Sequence, residues 1–360
     1  MPNLSGKIVF SSGKVGEAQV WLANLNSSLC RRISDESGNC VQPTLSPGGV
    51  RVAYICEDAN GAMLHVADLQ DEAIRITAYA NPTCSVKSPT FDPTGKRIAY
   101  LSAHGQSIWI QDLDSGICER LCCDLLPTHS LRWSLQGSLF GASTNADGNT
   151  ENWEYAINPT RCNQLSTETA LDVGITPAPE QSVIAFLSDR QLRSVHTRSV
   201  QRSTGNARLL SRQNWTRRQA FRQGLDIWVM NSSGELPVKV TDNGQCARSL
   251  AWSADSSQLL YATESQDQTI QFGVLPMSDL VQAYQRNNKA AIINAADQLR
   301  SLSRERRPCC FNESSLAELR HAKNFDWVSG VPTTAVQKQQ SFDSIPVLPN
   351  SSSSSVLQID

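Results

Sequence analysis

Residues 91–116 read FDPTGKRIAYLSAHGQSIWIQDLDSG, and the rest of the first 276 residues reads as copies of this stretch. Asp92-Pro93-Thr94-Gly95 is a tight turn, because Pro presets the backbone angle and Gly accepts the positive φ that side chains resist. A short apolar strand follows at Lys96 to Leu101, then a polar turn at His104-Gly105-Gln106, then a strand at Ser107 to Ile110. Asp114-Ser115-Gly116 turns the chain again, and Cys118-Glu119-Arg120-Leu121 closes the unit as a fourth strand. Turns about every ten residues between short β-rich runs predict an antiparallel meander.

The pattern recurs at Ser46-Pro47-Gly48-Gly49 with Val52-Ala53-Tyr54, at Ser134-Leu135-Gln136-Gly137 with Leu139-Phe140-Gly141, and at Ser253-Ala254-Asp255-Ser256 with Leu259-Leu260-Tyr261. A worn copy is read at Thr176-Pro177 with Ile184-Ala185-Phe186. Marks at Ser46, Asp92, Ser134, Thr176 and Ser253 step by 46, 42, 42 and 77 residues. Such a period, with four strands per unit, predicts an all-β fold: a six-bladed β-propeller whose blades bury their faces only by stacking radially. Tryptophan agrees. Trp21, Trp109, Trp153 and Trp228 fall in third strands, and Trp133 and Trp252 end first strands.

The run of turn, Ile-Ala-Tyr, Ile-Trp-Val and closing Leu-Thr resembles the WD40-like (PD40) repeat of the TolB family of propellers. Gly224-Leu225-Asp226-Ile227-Trp228-Val229-Met230-Asn231, followed by Val240-Thr241, matches it best locally, and the resemblance covers about residues 6–276. It implies the fold. For function it leaves scaffold, peptidase-gating and enzyme roles open, because sites are grafted onto folds.

Residues 1–276 are therefore expected to form the propeller, 277–324 a helical extension and 331–360 a disordered tail rich in Pro, Gln and Ser. The first unit lacks a first strand, and an open ring would expose strand edges. Phe325-Asp326-Trp327-Val328-Ser329-Gly330 has the form of a first strand plus its turn, so it is expected to return and pair with the strand at Ile8. Ser278 to Arg306 carries Leu280, Tyr284, Ile292, Ala295, Leu299 and Leu302 at helical steps, which predicts one amphipathic helix of 29 residues. Its stripe either packs on the propeller or docks a partner. A shorter helix is expected at Ser315 to Lys323.

The 77-residue step holds an insertion at 190–225 with nine arginines and no Asp or Glu, while the whole chain is −2. Charge is thus segregated. Arg208, Arg212, Trp215, Arg217, Arg218 and Arg222 form the candidate partner- or anion-binding group, since guanidinium and indole together suit phosphates and stacked bases, or an acidic protein surface. A solvated loop is the alternative.

Eleven cysteines without CxxC pairing give no zinc framework, and most are read as buried apolar side chains in a reducing cytoplasm. The N-terminus runs straight into Lys7-Ile8-Val9-Phe10, which fits a cytoplasmic location. His65, His104, His129, His196 and His321 share no motif, and Asn145-Ala146-Asp147-Gly148-Asn149 lacks the distal Glu of an EF-hand loop. No G-x-S-x-G elbow, Walker loop or Rossmann loop is present. The expectation is a monomeric, non-enzymatic scaffold that binds a protein partner, with no cofactor and no metal. Nucleic acid or an acidic ligand is a further option at the insertion. The competing class is a lyase or a biosynthetic cyclase or alkylating propeller acting on a small molecule in the central funnel.

Overall fold

In a computed structural model the chain forms six small antiparallel sheets arranged as the blades of a propeller. The structure describes residues 4–328 apart from 15, 35–37, 59–60, 70–73, 80–85, 103–106, 122–128, 145–148, 158–159, 168–169, 191–224, 243–246, 265–268, 306–307 and 309–324. Asn145 to Gly148, Cys122-Cys123, Cys309-Cys310, the short helix and the tail lie outside those residues.

Blade one holds β1 (Lys7–Ser12), β2 (Gln19–Asn24) and β3 (Leu29–Arg32). Blade two is β4 (Asn39–Leu45), β5 (Arg51–Asp58), β6 (Gly61–Asp68) and β7 (Arg75–Tyr79). Blade three is β8 (Val86–Phe91), β9 (Arg97–Ser102), β10 (Ile108–Asp112) and β11 (Cys118–Leu121). Blade four is β12 (His129–Trp133), β13 (Leu139–Thr144), β14 (Thr150–Ile157) and β15 (Thr160–Gln164). Blade five is β16 (Asp172–Pro177), β17 (Val183–Ser188), β18 (Asp226–Asn231) and β19 (Val238–Lys239). Blade six has three described strands, β20 (Ala247–Trp252), β21 (Gln258–Glu264) and β22 (Ile270–Pro276).

The ring closes as expected. Strand β23 (Phe325–Val328) lies antiparallel to β1, with Trp327 opposite Ile8 and Phe325 opposite Phe10. The core is a set of wedges between adjacent blades, and the wedge between blades six and one joins Phe325 and Trp327 to Leu260 and Phe272. Without β23, β1 would show a bare ladder edge.

Each turn after an inner strand is held by the residue before it. Ser46 Oγ accepts from the Arg51 N–H at 3.0 Å, and Asp92 Oδ1 accepts from Lys96 and Arg97 N–H at 3.0 and 2.9 Å. This is why Ser or Asp recurs there. In blade five the turn falls two residues later than the sequence reading placed it: Ala178 N–H bonds Val183 C=O and Gln181 N–H bonds Ala178 C=O, the two bonds Ser46 and Gly49 make in blade two. The residue before this turn is Ala178, whose side chain accepts nothing, so Glu180 takes over by accepting the Ser182 N–H at 3.1 Å; Gln181 has a φ of 74° where blades two, three and four have glycine, and the copy looked worn. The closing Leu-Thr motif has a similar cause. Ser34, Ser166 and Thr241 hydroxyls accept from the third-strand N–H groups of Val20, Asn152 and Ile227.

The cation that opens a second strand ties its blade to the next one. Lys7 Nζ donates to Gly49 C=O at 2.9 Å, Arg51 Nη1 donates to Gly95 C=O at 3.2 Å, and the Arg97 guanidinium lies 5.4 Å from the Trp133 ring centre. Burial, and then the charge of Arg31, push the Lys7 ammonium below the usual lysine range.

The long helix is two helices, α1 (Ser278–Gln285) and α2 (Lys289–Glu305). Asn287 adopts a φ of 49°, and the N–H groups of Asn288 and Asn287 bond the carbonyls of Ala283 and Tyr284, a helix-ending pair of bonds around a left-handed residue. Asn288 then starts α2 by accepting the Ala291 N–H at 3.1 Å. The periodic stripe crossed this break unseen because Ile292 keeps the phase. Leu280, Tyr284, Ile292, Ala295 and Leu299 are buried against blades five and six, so the stripe packs on the propeller and is not a docking face. The Tyr284 hydroxyl donates toward the Val229 and Leu236 carbonyls, and burial raises it far above the usual tyrosine range.

Cys40 and Cys56 face each other across β4 and β5, with Cα atoms 4.2 Å apart, and are joined as a disulfide. Spacing alone did not show that hairpin register makes them partners. This pair departs from the reading of the cysteines as separate apolar side chains. No described helix is long and apolar enough to cross a membrane.

Candidate functional site

The insertion leaves β17 and re-enters at β18, whose ends are adjacent in the sheet: Ser188 is opposite Asp226, and Asp172 of β16 is opposite Ser188. Three polar residues thus cross one end of blade five in a row. All are buried, and each is committed to a specific partner.

At the first root, Asp172 is fully buried and accepts Ser188 Oγ at 2.6 Å on Oδ1. Arg190 Nε and Nη2 reach the two oxygens of the same carboxylate at 3.3 and 2.7 Å, a bidentate pair. The guanidinium is 5.0 Å from the Phe186 ring centre and 5.5 Å from that of Trp228, which are partners across β17 and β18. Next to it, buried Asp189 accepts the Leu171 N–H at 2.8 Å. Aromatic and carboxylate together lock the arginine in one place. Arg190 is therefore an anchor, and the charge left in the insertion is that of the other eight arginines.

At the second root, Asp226 Oδ2 meets Lys239 Nζ at 2.9 Å, and Thr241 Oγ1 donates to Asp226 Oδ1 at 3.2 Å. Burial pushes the Asp226 carboxyl up, opposed by Lys239 and Thr241. Lys239 Nζ also bonds Asp242 Oδ1 at 2.8 Å, and Arg304 of α2 pairs with the other Asp242 oxygen. Lys239 and then Arg304 hold the Asp242 carboxyl below its usual range. One chain of charges therefore runs from the insertion root to α2. Breaking a buried pair by removing one partner costs about 3–5 kcal/mol, so both roots are held firmly.

Arg208, Arg212, Trp215, Arg217, Arg218 and Arg222 all lie outside the described residues. Sequence reading found the insertion by its charge. It missed the anchors, although Asp189 and Asp226, the acids flanking the arginine run, were visible.

The inner strands carry a second polar layer. At one register level the six inner strands carry Asp326, Thr44, Thr90, Arg132, Thr176 and Ala251, in order round the ring. Asp326 Oδ2 accepts Thr44 Oγ1 at 2.8 Å and the Leu45 N–H at 3.0 Å, and Thr90 Oγ1 accepts the Trp133 N–H at 3.2 Å. Among the described residues no three His, Cys, Asp or Glu side chains come together to hold a metal ion.

No protein-family model and no curated protein matches the chain by sequence. Solved structures match by shape. TolB from Acinetobacter baumannii superposes with a TM-score of 0.55 at 13% identity over 76% of this chain and 62% of that one. A TolB from Agrobacterium tumefaciens gives 0.54 at 13% identity, over 76% and 85% of the two chains. A chain of a nidogen/laminin complex gives 0.54 at 10% identity, over 76% and 89%. The chain thus shares the TolB-like propeller fold, and spans less than two thirds of the A. baumannii protein.

Proposed function

We propose that this propeller is a non-enzymatic platform that docks a protein partner, with the arginine-rich insertion supplying an electrostatic contact to an acidic surface. The observation that carries the reading is the pair of buried ionic anchors, Arg190–Asp172 and Lys239–Asp226, at the two ends of a segment with eight further arginines and no acid. A merely tolerated surface loop needs no such roots. Here the scaffold fixes where the cationic segment begins and ends, while Trp215 among Arg212, Arg217 and Arg218 adds an aromatic contact of the kind that anchors interfaces. The nidogen/laminin match shows that a chain of this fold occurs in a protein–protein complex.

The test compares the intact chain with a variant in which 191–223 is replaced by a short Gly-Ser turn, using partner capture with nuclease-treated and untreated samples and melting of both proteins. The expected result is a stoichiometric protein partner that is lost on replacement, is released by salt and is indifferent to nuclease, with melting unchanged. Retention of the partner by the variant overturns the role of the insertion. Capture that vanishes with nuclease makes the ligand a nucleic acid, whose affinity falls steeply with salt.

A further inference from the structure

We infer that the channel wall between blades four and five binds a small carboxylate, gripped by Arg132 and Thr176. The ring contains its own template. In blades one and two, the Asp326 carboxylate is received by the Thr44 hydroxyl and the Leu45 N–H. Three blades on, the same positions hold Arg132 in place of Asp326, Thr176 in place of Thr44, and Pro177 in place of Leu45. Arginine brings donors where Asp326 brought acceptors, and Pro177 has no N–H to satisfy.

The polarity of this sector is therefore inverted, and the carboxylate is missing from it. Arg132 is half-buried and makes no hydrogen bond or ion pair with any described residue. On the same strand Ser130 Oγ is buried without a described partner. A partly desolvated guanidinium without a partner is costly, and an oxyanion satisfies it. The planar fork of the arginine suits a carboxylate, as Arg190 on Asp172 shows elsewhere in this chain.

The ring also limits what fits. Inner strands of adjacent blades pack directly against one another round the ring, so the space they enclose is narrow and suits a small molecule. Blade one faces blade four, so Asp326 lies across the channel from Arg132 and discourages a second negative charge. The ligand class is a small monocarboxylate, and a positive or hydrogen-bond-donating end turned toward Asp326 would help it.

The experiment titrates the full chain with acetate, glycine and inorganic phosphate, following the arginine side-chain N–H signals and the melting temperature. Acetate or glycine should bind saturably. Arg132→Ala should weaken that binding at least tenfold, Thr176→Val should weaken it severalfold, and Arg132→Lys should keep charge but lose most of the affinity. A wild-type chain that saturates with neither carboxylate overturns the proposal, as does binding unchanged in both Arg132→Ala and Thr176→Val. Binding of phosphate alone refutes the carboxylate class. Should Arg132→Ala fail to fold, Thr176→Val and Arg132→Lys still decide.

Discussion

Removing the closure strand tests the whole architecture, because β23 is separated from its partner β1 by nearly the entire chain. A chain ending at Asn324 loses four paired residues and two aromatic side chains, Phe325 at 3% and Trp327 at 4% exposure. Each aromatic buries about 150–250 Å², worth about 4–6 kcal/mol at about 25 cal/mol per Å². Allowing for burial already present in the unfolded chain, the pair contributes roughly 5–11 kcal/mol. Domain stabilities lie at about 5–15 kcal/mol, so most of the folding free energy disappears. Blade two also loses the Asp326 carboxylate that accepts from Thr44 and Leu45. Two truncations, one after residue 324 and one after residue 334, should be compared by thermal melting and light scattering. The longer should melt like the full chain as a monomer. The shorter should be unfolded, or should self-associate through the bare β1 edge, and a peptide spanning 322–330 should restore it by strand addition. A monomeric 1–324 chain melting within a few degrees of 1–334 would refute ring closure by β23.

Gly273→Ala places a Cβ 2.2 Å from the Tyr261 ring, which lies over this glycine across β21 and β22; about 1–3 kcal/mol of stability should be lost by urea unfolding, and a smaller side chain at Tyr261 should recover part of it. For Asp242→Asn the sign follows from the depressed carboxyl: the ionised group stabilises the fold above its unfolded value of 3.8, and this contribution fades as pH falls through the lower folded value. Since the side chain is about a third exposed, the loss at pH 7 should be about 1 kcal/mol or less, and wild type and variant should converge in acid titrations once the pH lies below the lowered folded-state value.

The fold was legible where a turn demands particular residues. Asp92, Ser46 and Ser253 mark their turns because their side chains accept the turn amides, and Gly49 and Gly95 mark theirs because φ is positive. Where another residue tolerates the same backbone, as Gln181 does, the mark was displaced. The break between α1 and α2 was hidden for a related reason: the apolar stripe reports which face is buried, while Asn287 and Asn288 carry the ending in two backbone conformations that periodicity does not register. Trp327 was legible as a returning strand because it repeats the position of Trp133 and Trp252, each an inner-strand residue set opposite the first residue of its neighbour's apolar run.

The polar constellations depended on knowing the ring. Arg190 looked like one arginine among nine, yet its place two residues beyond Ser188 puts it over Asp172, and that role comes from the register of β16 with β17. Asp326 and Arg132 are 194 residues apart in sequence, and nothing local relates them. Six-fold closure alone sets them on opposite blades, and alignment of the inner strands alone shows that one has its hydrogen-bond partners in the chain while the other has none among the described residues. A repeat fold makes the comparison possible: five sister blades state what each position ordinarily does, so the position that departs from its sisters is where this chain differs from a plain scaffold.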